Sequence, residues 1–198
     1  MAHRLLKAKM LAYKSIADKV RSRFKAGQDL YFGQAFTGSM KVAKRFRWEG
    51  AHRLPWHTDG CQNLHGHSYQ MWVELSGPAG TNGMLIDFKE IKKVLSPLVK
   101  AWDHGVLVAE SDTELLQAVA LLKSKHFVLP YDTTSENICQ FVIDYLGRHG
   151  LDILTKYNIE SVYVKLQETE TCYAEHEVKI AALLADKEER CVAEAVTL

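Results

Sequence analysis

From Lys41 onward, apolar and polar positions alternate with a period of two. Val42, Lys44, Phe46, Trp48 and His52 share one parity and Arg45, Arg47 and Glu49 the other, which predicts a half-buried strand. A second strand places Tyr69, Met71, Val73 and Leu75 opposite Gln70, Trp72 and Glu74. It ends at Gly77-Pro78, and Thr81-Asn82-Gly83 turns the chain. The period then becomes helical. Phe88, Ile91, Val94, Leu95, Leu98, Val99 and Trp102 form one stripe, opened by Asp87 and Glu90 as a variant capping box. Gly105–Tyr131 is less regular, with a short helix expected around Glu114–Lys123. A capping box at Thr133–Glu136 opens the next helix, apolar along Ile138, Phe141, Val142, Tyr145 and Leu146. Val162, Val164 and Leu166 alternate as a third strand. Ala174, His176, Val178 and Ile180 make a fourth, and an amphipathic helix follows over 181–195.

Two hairpins flanking two helices predict an α+β layer of order ββααββ. Its sheet should be four-stranded and antiparallel, with helices on one face. No GxGxxG, GxxxxGK[ST] or GxSxG occurs, which argues against a dinucleotide fold, a P-loop and a hydrolase elbow. Before Lys41, Met10, Tyr13, Ala17, Val20 and Phe24 recur at helical spacing, with Lys14, Lys19, Arg21, Arg23 and Lys25 largely elsewhere on the wheel. The expected division is a basic helical extension over 1–40, a body over 41–180 and a C-terminal helix over 181–198.

Charge sharpens that division. Residues 1–47 hold twelve Lys/Arg against two Asp/Glu, whereas 48–198 hold thirteen against twenty-two. The leader is expected to dock on the protein's own surface or on a sister subunit. No nucleic-acid or membrane partner is expected, although basic amphipathic helices can serve either and the leader leaves this open. With 47% hydrophobic and 25% charged residues, the chain is neither disordered nor low in complexity. No apolar run approaches the roughly 18 residues of a membrane span, and the opening residues do not read as a signal peptide. Cys61, Cys139, Cys172 and Cys191 are widely spaced without a CxxC, which suits a reducing cytoplasm.

The candidate chemistry begins at His65-Gly66-His67. Histidines at i and i+2 on an extended chain point the same way, and His52 has the inward parity of the preceding strand. One inward histidine is usually a hydrogen-bonded core residue. Three converging on one face call for a cation, and Zn²⁺ suits imidazole donors. Cys61 stands four residues before His65. It either closes a Cys-His₃ zinc site or lies beside an open one as a thiolate base, and spacing alone leaves both open. Asp103-His104 pairs a carboxylate with an imidazole, an arrangement suited to proton transfer; on local evidence alone, a helix C-terminus favouring a histidine cation is the safer reading. Glu168 ends the buried stripe Val162, Val164, Leu166 and needs a cationic or multi-donor partner, such as the guanidine-like edge of a heterocycle or a basic side chain.

Taken together, Ala51-His52-Arg53-Leu54, Cys61-Gln62-Asn63-Leu64-His65-Gly66-His67, Gly83-Met84-Leu85-Ile86-Asp87-Phe88, Asp103-His104, Thr134-Ser135-Glu136-Asn137 and Glu168-Thr169 resemble the 6-pyruvoyltetrahydropterin synthase / 6-carboxytetrahydropterin synthase family over about 41–180. The resemblance implies a tunnelling fold, in which sheets from several subunits close into an oligomeric barrel, typically a homohexamer with sites at subunit interfaces. It implies zinc on His52, His65 and His67 and 7,8-dihydroneopterin triphosphate as substrate. Cys61 is then the base, assisted by Asp103 and His104. Glu168 anchors the pterin, and Thr134 and Ser135 add contacts to it. The three-residue gap between Cys61 and His65 is similar to that of the 6-carboxy type, whose reaction releases acetaldehyde and triphosphate on the route to queuosine. The alternatives are the pyruvoyl-forming synthase and a non-catalytic, zinc-stabilised binding module. Three features depart from the family pattern: Asp103-His104-Gly105-Val106-Leu107 leads to Val108 where asparagine is often found after the Asp-His pair, Thr133 stands where proline is common, and Glu110–Pro130 is longer than a compact member needs.

Overall fold

Six strands form one mixed sheet in the computed structural model, which describes residues 38–185. The expected leader helix, and the C-terminal helix beyond residue 185, lie outside the described residues. Strand β1 (Ser39–His52) pairs antiparallel with β2 (His65–Pro78) along its whole length, from Ser39 opposite Pro78 to His52 opposite His65. Strand β2 then pairs with β5 (Ser161–Gln167), and β5 with β6 (Tyr173–Lys179), both antiparallel. These are the two expected hairpins, joined side by side.

The four-stranded, wholly antiparallel sheet is corrected at its other edge. Strands β3 (Gly105–Ala109) and β4 (His126–Leu129) extend it in parallel, giving the order β4-β3-β1-β2-β5-β6. The stretch expected to be less regular is a crossover, in which the short helix expected around Glu114–Lys123 is present as α2 (Thr113–Leu121) and links two short parallel strands. Placing helices on one face alone is corrected as well. Leu107 faces the main core, whereas Val106 and Val108 pack with Leu115, Leu116 and Val119 of α2 on the opposite face. A strand covered on both sides has no apolar–polar alternation to read, and four or five residues are too few for a period.

Helices α1 (Phe88–Trp102) and α3 (Ser135–His149) cover the inner face, followed by the short α4 (Leu151–Lys156). Asp87 caps α1 as expected, its carboxylate accepting from the Lys89 amide at 2.8 Å. Phe88, counted in the apolar stripe, is 49% exposed. The cap of α3 is Thr134 rather than Thr133, with Oγ1 accepting from the Asn137 amide at 3.2 Å. Ile180, expected to end the fourth strand, instead opens a helix, α5, over 180–185. At the centre of the inner face Trp48 stacks on Tyr69, with centroids 4.9 Å apart and planes at 15°, and Trp102 closes on Trp48 at 5.2 Å. Burying large side chains of this kind contributes about 1.5–3 kcal/mol each, so this wall is stiff. It backs the histidines.

Candidate metal centre

The β1–β2 register places His52 directly opposite His65, and the pleat turns His52, His65 and His67 to the inner face together. One ligand atom from each histidine lies within 4.8 Å of the other two. Ring centroids are 4.7 Å apart for His52–His65, 5.2 Å for His52–His67 and 4.9 Å for His65–His67.

Hydrogen bonds fix which nitrogen His52 and His65 offer. His52 Nδ1 donates to the Thr133 carbonyl at 2.7 Å, and His65 Nδ1 donates to the Asn63 carbonyl at 2.7 Å. Both rings therefore carry their proton on Nδ1 and present a bare Nε2, the arrangement in which a metal-bound histidine is held by its other nitrogen. Among the described residues the buried Nε2 atoms of His52 and His67 have no partner, and His52 as a whole is 2% exposed. Burial, the larger influence on both rings, lowers the pKa of His52 and His67, favouring the neutral form that ligates a cation. Glu168 Oε1, also buried and unpaired, lies 3.8 Å from His52 Nε2. Two acceptors facing each other across that gap are stabilised by positive charge between or beside them. The donor set and its orphaned atoms fit a zinc ion.

Behind the rings, the buried Tyr69 hydroxyl has no hydrogen-bond partner among the described residues. Burial, and secondarily Glu168, push the phenol pKa up, so it stays a donor. The β1–β2 loop carries Cys61 in a 3₁₀ turn, Gly60–Gln62, capped by Asp59. The Leu54 amide donates to the Cys61 carbonyl at 2.8 Å, tying that turn to the chain two residues past His52. The Cys61 thiol is half-buried and lies outside the group of mutually close ligand atoms.

Asp103 and His104 follow α1 and stand apart from this group. Asp103 Oδ1 accepts from the Glu49 amide at 3.1 Å and lies 3.0 Å from His104 Nδ1, while the His104 amide donates to the Glu49 carbonyl at 2.7 Å. The Glu49 amide, then His104, hold the Asp103 carboxyl below its ordinary pKa. The His104 side chain is 77% exposed on a left-handed backbone, φ 56°. Glu49 has the outward parity of β1. The pair is assembled on the Glu49 main chain and lies outside the group of three mutually close imidazoles. Thr134 spends its hydroxyl on the helix cap, with Ser135 next to it at the start of α3.

Sequence reasoning missed the groups that orient the rings. The Thr133 and Asn63 carbonyls are main-chain atoms and leave no residue signature. Tyr69 was legible, since it continues the His65–His67 parity, but it read as core.

An α+β fold with three converging imidazoles beside a half-buried carboxylate defines a protein whose sheet offers a donor set suited to a metal ion. The chain belongs to the 6-pyruvoyl tetrahydropterin synthase family, whose model matches residues 41–179. It is similar to the 6-carboxy-5,6,7,8-tetrahydropterin synthase of Haemophilus influenzae, 33% identical over 145 residues that cover 69% of this chain and 98% of the relative. The enzyme of the same name from Rickettsia felis is 27% identical over 139 residues, covering 69% and 99%. Among solved structures, 6-pyruvoyl tetrahydropterin synthase of Plasmodium falciparum matches 71% of this chain and 98% of its own at a TM-score of 0.57 and 17% identity, a likeness of fold.

Proposed function

We propose that the protein is a zinc-dependent lyase that converts 7,8-dihydroneopterin triphosphate and one water to 6-carboxy-5,6,7,8-tetrahydropterin, releasing acetaldehyde and triphosphate. The observation that carries this reading is the trio of converging imidazoles, with the Nε2 atoms of His52 and His67 buried and unpartnered beside the carboxylate of Glu168. The relatives named as 6-carboxytetrahydropterin synthases support the product assignment.

Zinc held by His52, His65 and His67 supplies Lewis-acid polarisation of the substrate's side-chain hydroxyls. The chain's own groups do the rest. Glu168 accepts from the guanidine-like edge of the pterin, which offers the donors its free oxygen lacks. Thr134 and Ser135 border that ring. Cys61, as thiolate, takes a proton from the substrate side chain, and His104, oriented by Asp103, shuttles protons as triphosphate leaves. His104 is exposed beside the outward-facing Glu49, which supports its acting at the site of a neighbouring copy in a homohexamer. Such assembly also covers the open edges at β4 and β6. Free thiols at Cys61, Cys139 and Cys172 agree with a cytoplasmic setting.

The test is incubation of zinc-loaded protein with 7,8-dihydroneopterin triphosphate and mass analysis of pterin and volatile products. Acetaldehyde with the 6-carboxy product is expected. A pyruvoyl product without acetaldehyde supports the alternative synthase, and no consumption by folded, zinc-loaded protein rejects both. Cys61→Ala should retain zinc and lose turnover. Loss of zinc instead would make the thiol a ligand and favour a closed, non-catalytic site.

A further inference from the structure

Behind His52 runs a chain of polar contacts that the proposed chemistry does not use. Thr133 is fully buried and touches two consecutive residues at the end of β1. Its carbonyl accepts from His52 Nδ1 at 2.7 Å, and its hydroxyl donates to the Arg53 carbonyl at 3.1 Å. One bond fixes the rotation of the imidazole, and the other fixes the distance between strand end and loop. Both are needed, because a single carbonyl contact lets the ring pivot about it.

Arg53 is held in turn. Its Nε donates to Asp112 Oδ2 at 2.7 Å and its Nη2 to Asp112 Oδ1 at 2.6 Å, a two-pronged fork with a carboxylate that is 5% exposed. A further 3.3 Å contact reaches Glu114, whose exposed carboxylate adds little. Asp112 Oδ1 also caps α2, accepting from the Leu115 amide at 3.1 Å. The path from helix α2 to the imidazole is thus Asp112, Arg53, Thr133, His52, every link a measured hydrogen bond or covalent neighbour. Two features left unexplained by the sequence meet in it: the long Glu110–Pro130 stretch, and a threonine where proline is common.

We propose that Thr133 is the positioning residue for His52 and that the Arg53–Asp112 fork holds its partner in place, so that the α2 crossover braces the metal centre. This rests on the reading of His52 as a zinc ligand. Groups in this outer layer set the direction of a ligand's lone pair, and losing one typically weakens metal binding 10- to 100-fold.

The test is zinc affinity, measured by competition with a chromophoric chelator on the full chain. Thr133→Val keeps size and the main-chain carbonyl but removes the hydroxyl, and should raise the zinc dissociation constant about tenfold. Thr133→Ser restores the hydroxyl and should return the affinity to within about twofold of the parent. Arg53→Lys keeps charge but loses the fork, and should weaken zinc severalfold. A purely structural network predicts lower melting points for the zinc-free variants with zinc affinity unmoved. That result, or failure of serine to rescue, overturns the brace. Should Thr133→Val not fold, Arg53→Lys carries the test, and unchanged zinc affinity there overturns it too. A parent protein that takes up no zinc overturns the metal reading and the brace together, whereas a parent that binds zinc beside an unaffected valine variant overturns the brace alone.

Discussion

Glu168→Gln should move stability and activity in opposite directions. In the zinc-free protein Glu168 Oε1 is a buried oxygen with no partner, facing the bare Nε2 of His52 at 3.8 Å. Leaving a polar acceptor buried and unsatisfied costs about 1–3 kcal/mol. The side chain is 21% exposed, so water relieves part of that cost. Glutamine keeps the shape and sheds the charge, and its amide can donate toward Nε2. The zinc-free variant should therefore gain about 1 kcal/mol in urea unfolding, read as a higher midpoint at unchanged slope. With substrate the sign reverses. A hydrogen bond to a charged group contributes about 1.5–3 kcal/mol, and each 1.36 kcal/mol is a factor of ten in rate. The amide also turns a donor toward the donor edge of the pterin. Losing one charge-assisted bond of a pair and opposing the second should lower kcat/KM at least about 100-fold. A variant that is less stable without zinc and still turns over at the parental rate would refute both the acceptor clash and the anchoring role.

Three further measurements probe other parts of the molecule. Chelation should lower the thermal midpoint. Zinc at about a thousand times its dissociation constant adds roughly 4 kcal/mol, or about 8–16 °C for a domain of this size, and a midpoint indifferent to zinc rejects the metal centre. Gly77→Ala should destabilise by about 1–3 kcal/mol, because an added Cβ falls 2.7 Å from the Asn158 carbonyl oxygen and 3.3 Å from the Ile159 Cα, both backbone; a variant of parental stability contradicts that packing. Asp112 is held below the ordinary carboxyl pKa chiefly by the Arg53 fork, against burial. Its contribution is thus complete above about pH 4, the unfolded value, and lost as pH falls through the folded one. Asp112→Asn should cost about 3 kcal/mol at neutral pH and flatten the acid limb of stability below pH 4, with unchanged acid dependence as the contrary result.

The antiparallel part of the fold was legible because β1, β2, β5 and β6 each keep one face apolar, and the helices α1 and α3 keep a stripe. Helix α2 was legible as the short helix expected around Glu114–Lys123, but the strands β3 and β4 flanking it were not, because Leu107 and Val108 are buried on opposite faces and a strand sandwiched in this way carries no alternation. Thr133 shows a subtler limit. As a capping residue it was placed one position early, since a Thr-Thr-Ser run offers several hydroxyls and only the turn geometry selects Thr134.

By itself the sequence determined that His52, His65 and His67 share one face, because strand parity is local and a period of two leaves no choice. Family membership likewise followed from the short motifs around those residues. Which ring nitrogen His52 and His65 offer, that Glu168 confronts His52, and that Asp103-His104 is held on the Glu49 main chain were decided only by the folded chain. Those relations join residues 49 to 168 across strand pairing and helix packing, and through main-chain carbonyls that every residue possesses. A contact made by a group common to all residues leaves no mark in the order of side chains, so only tertiary structure could supply it.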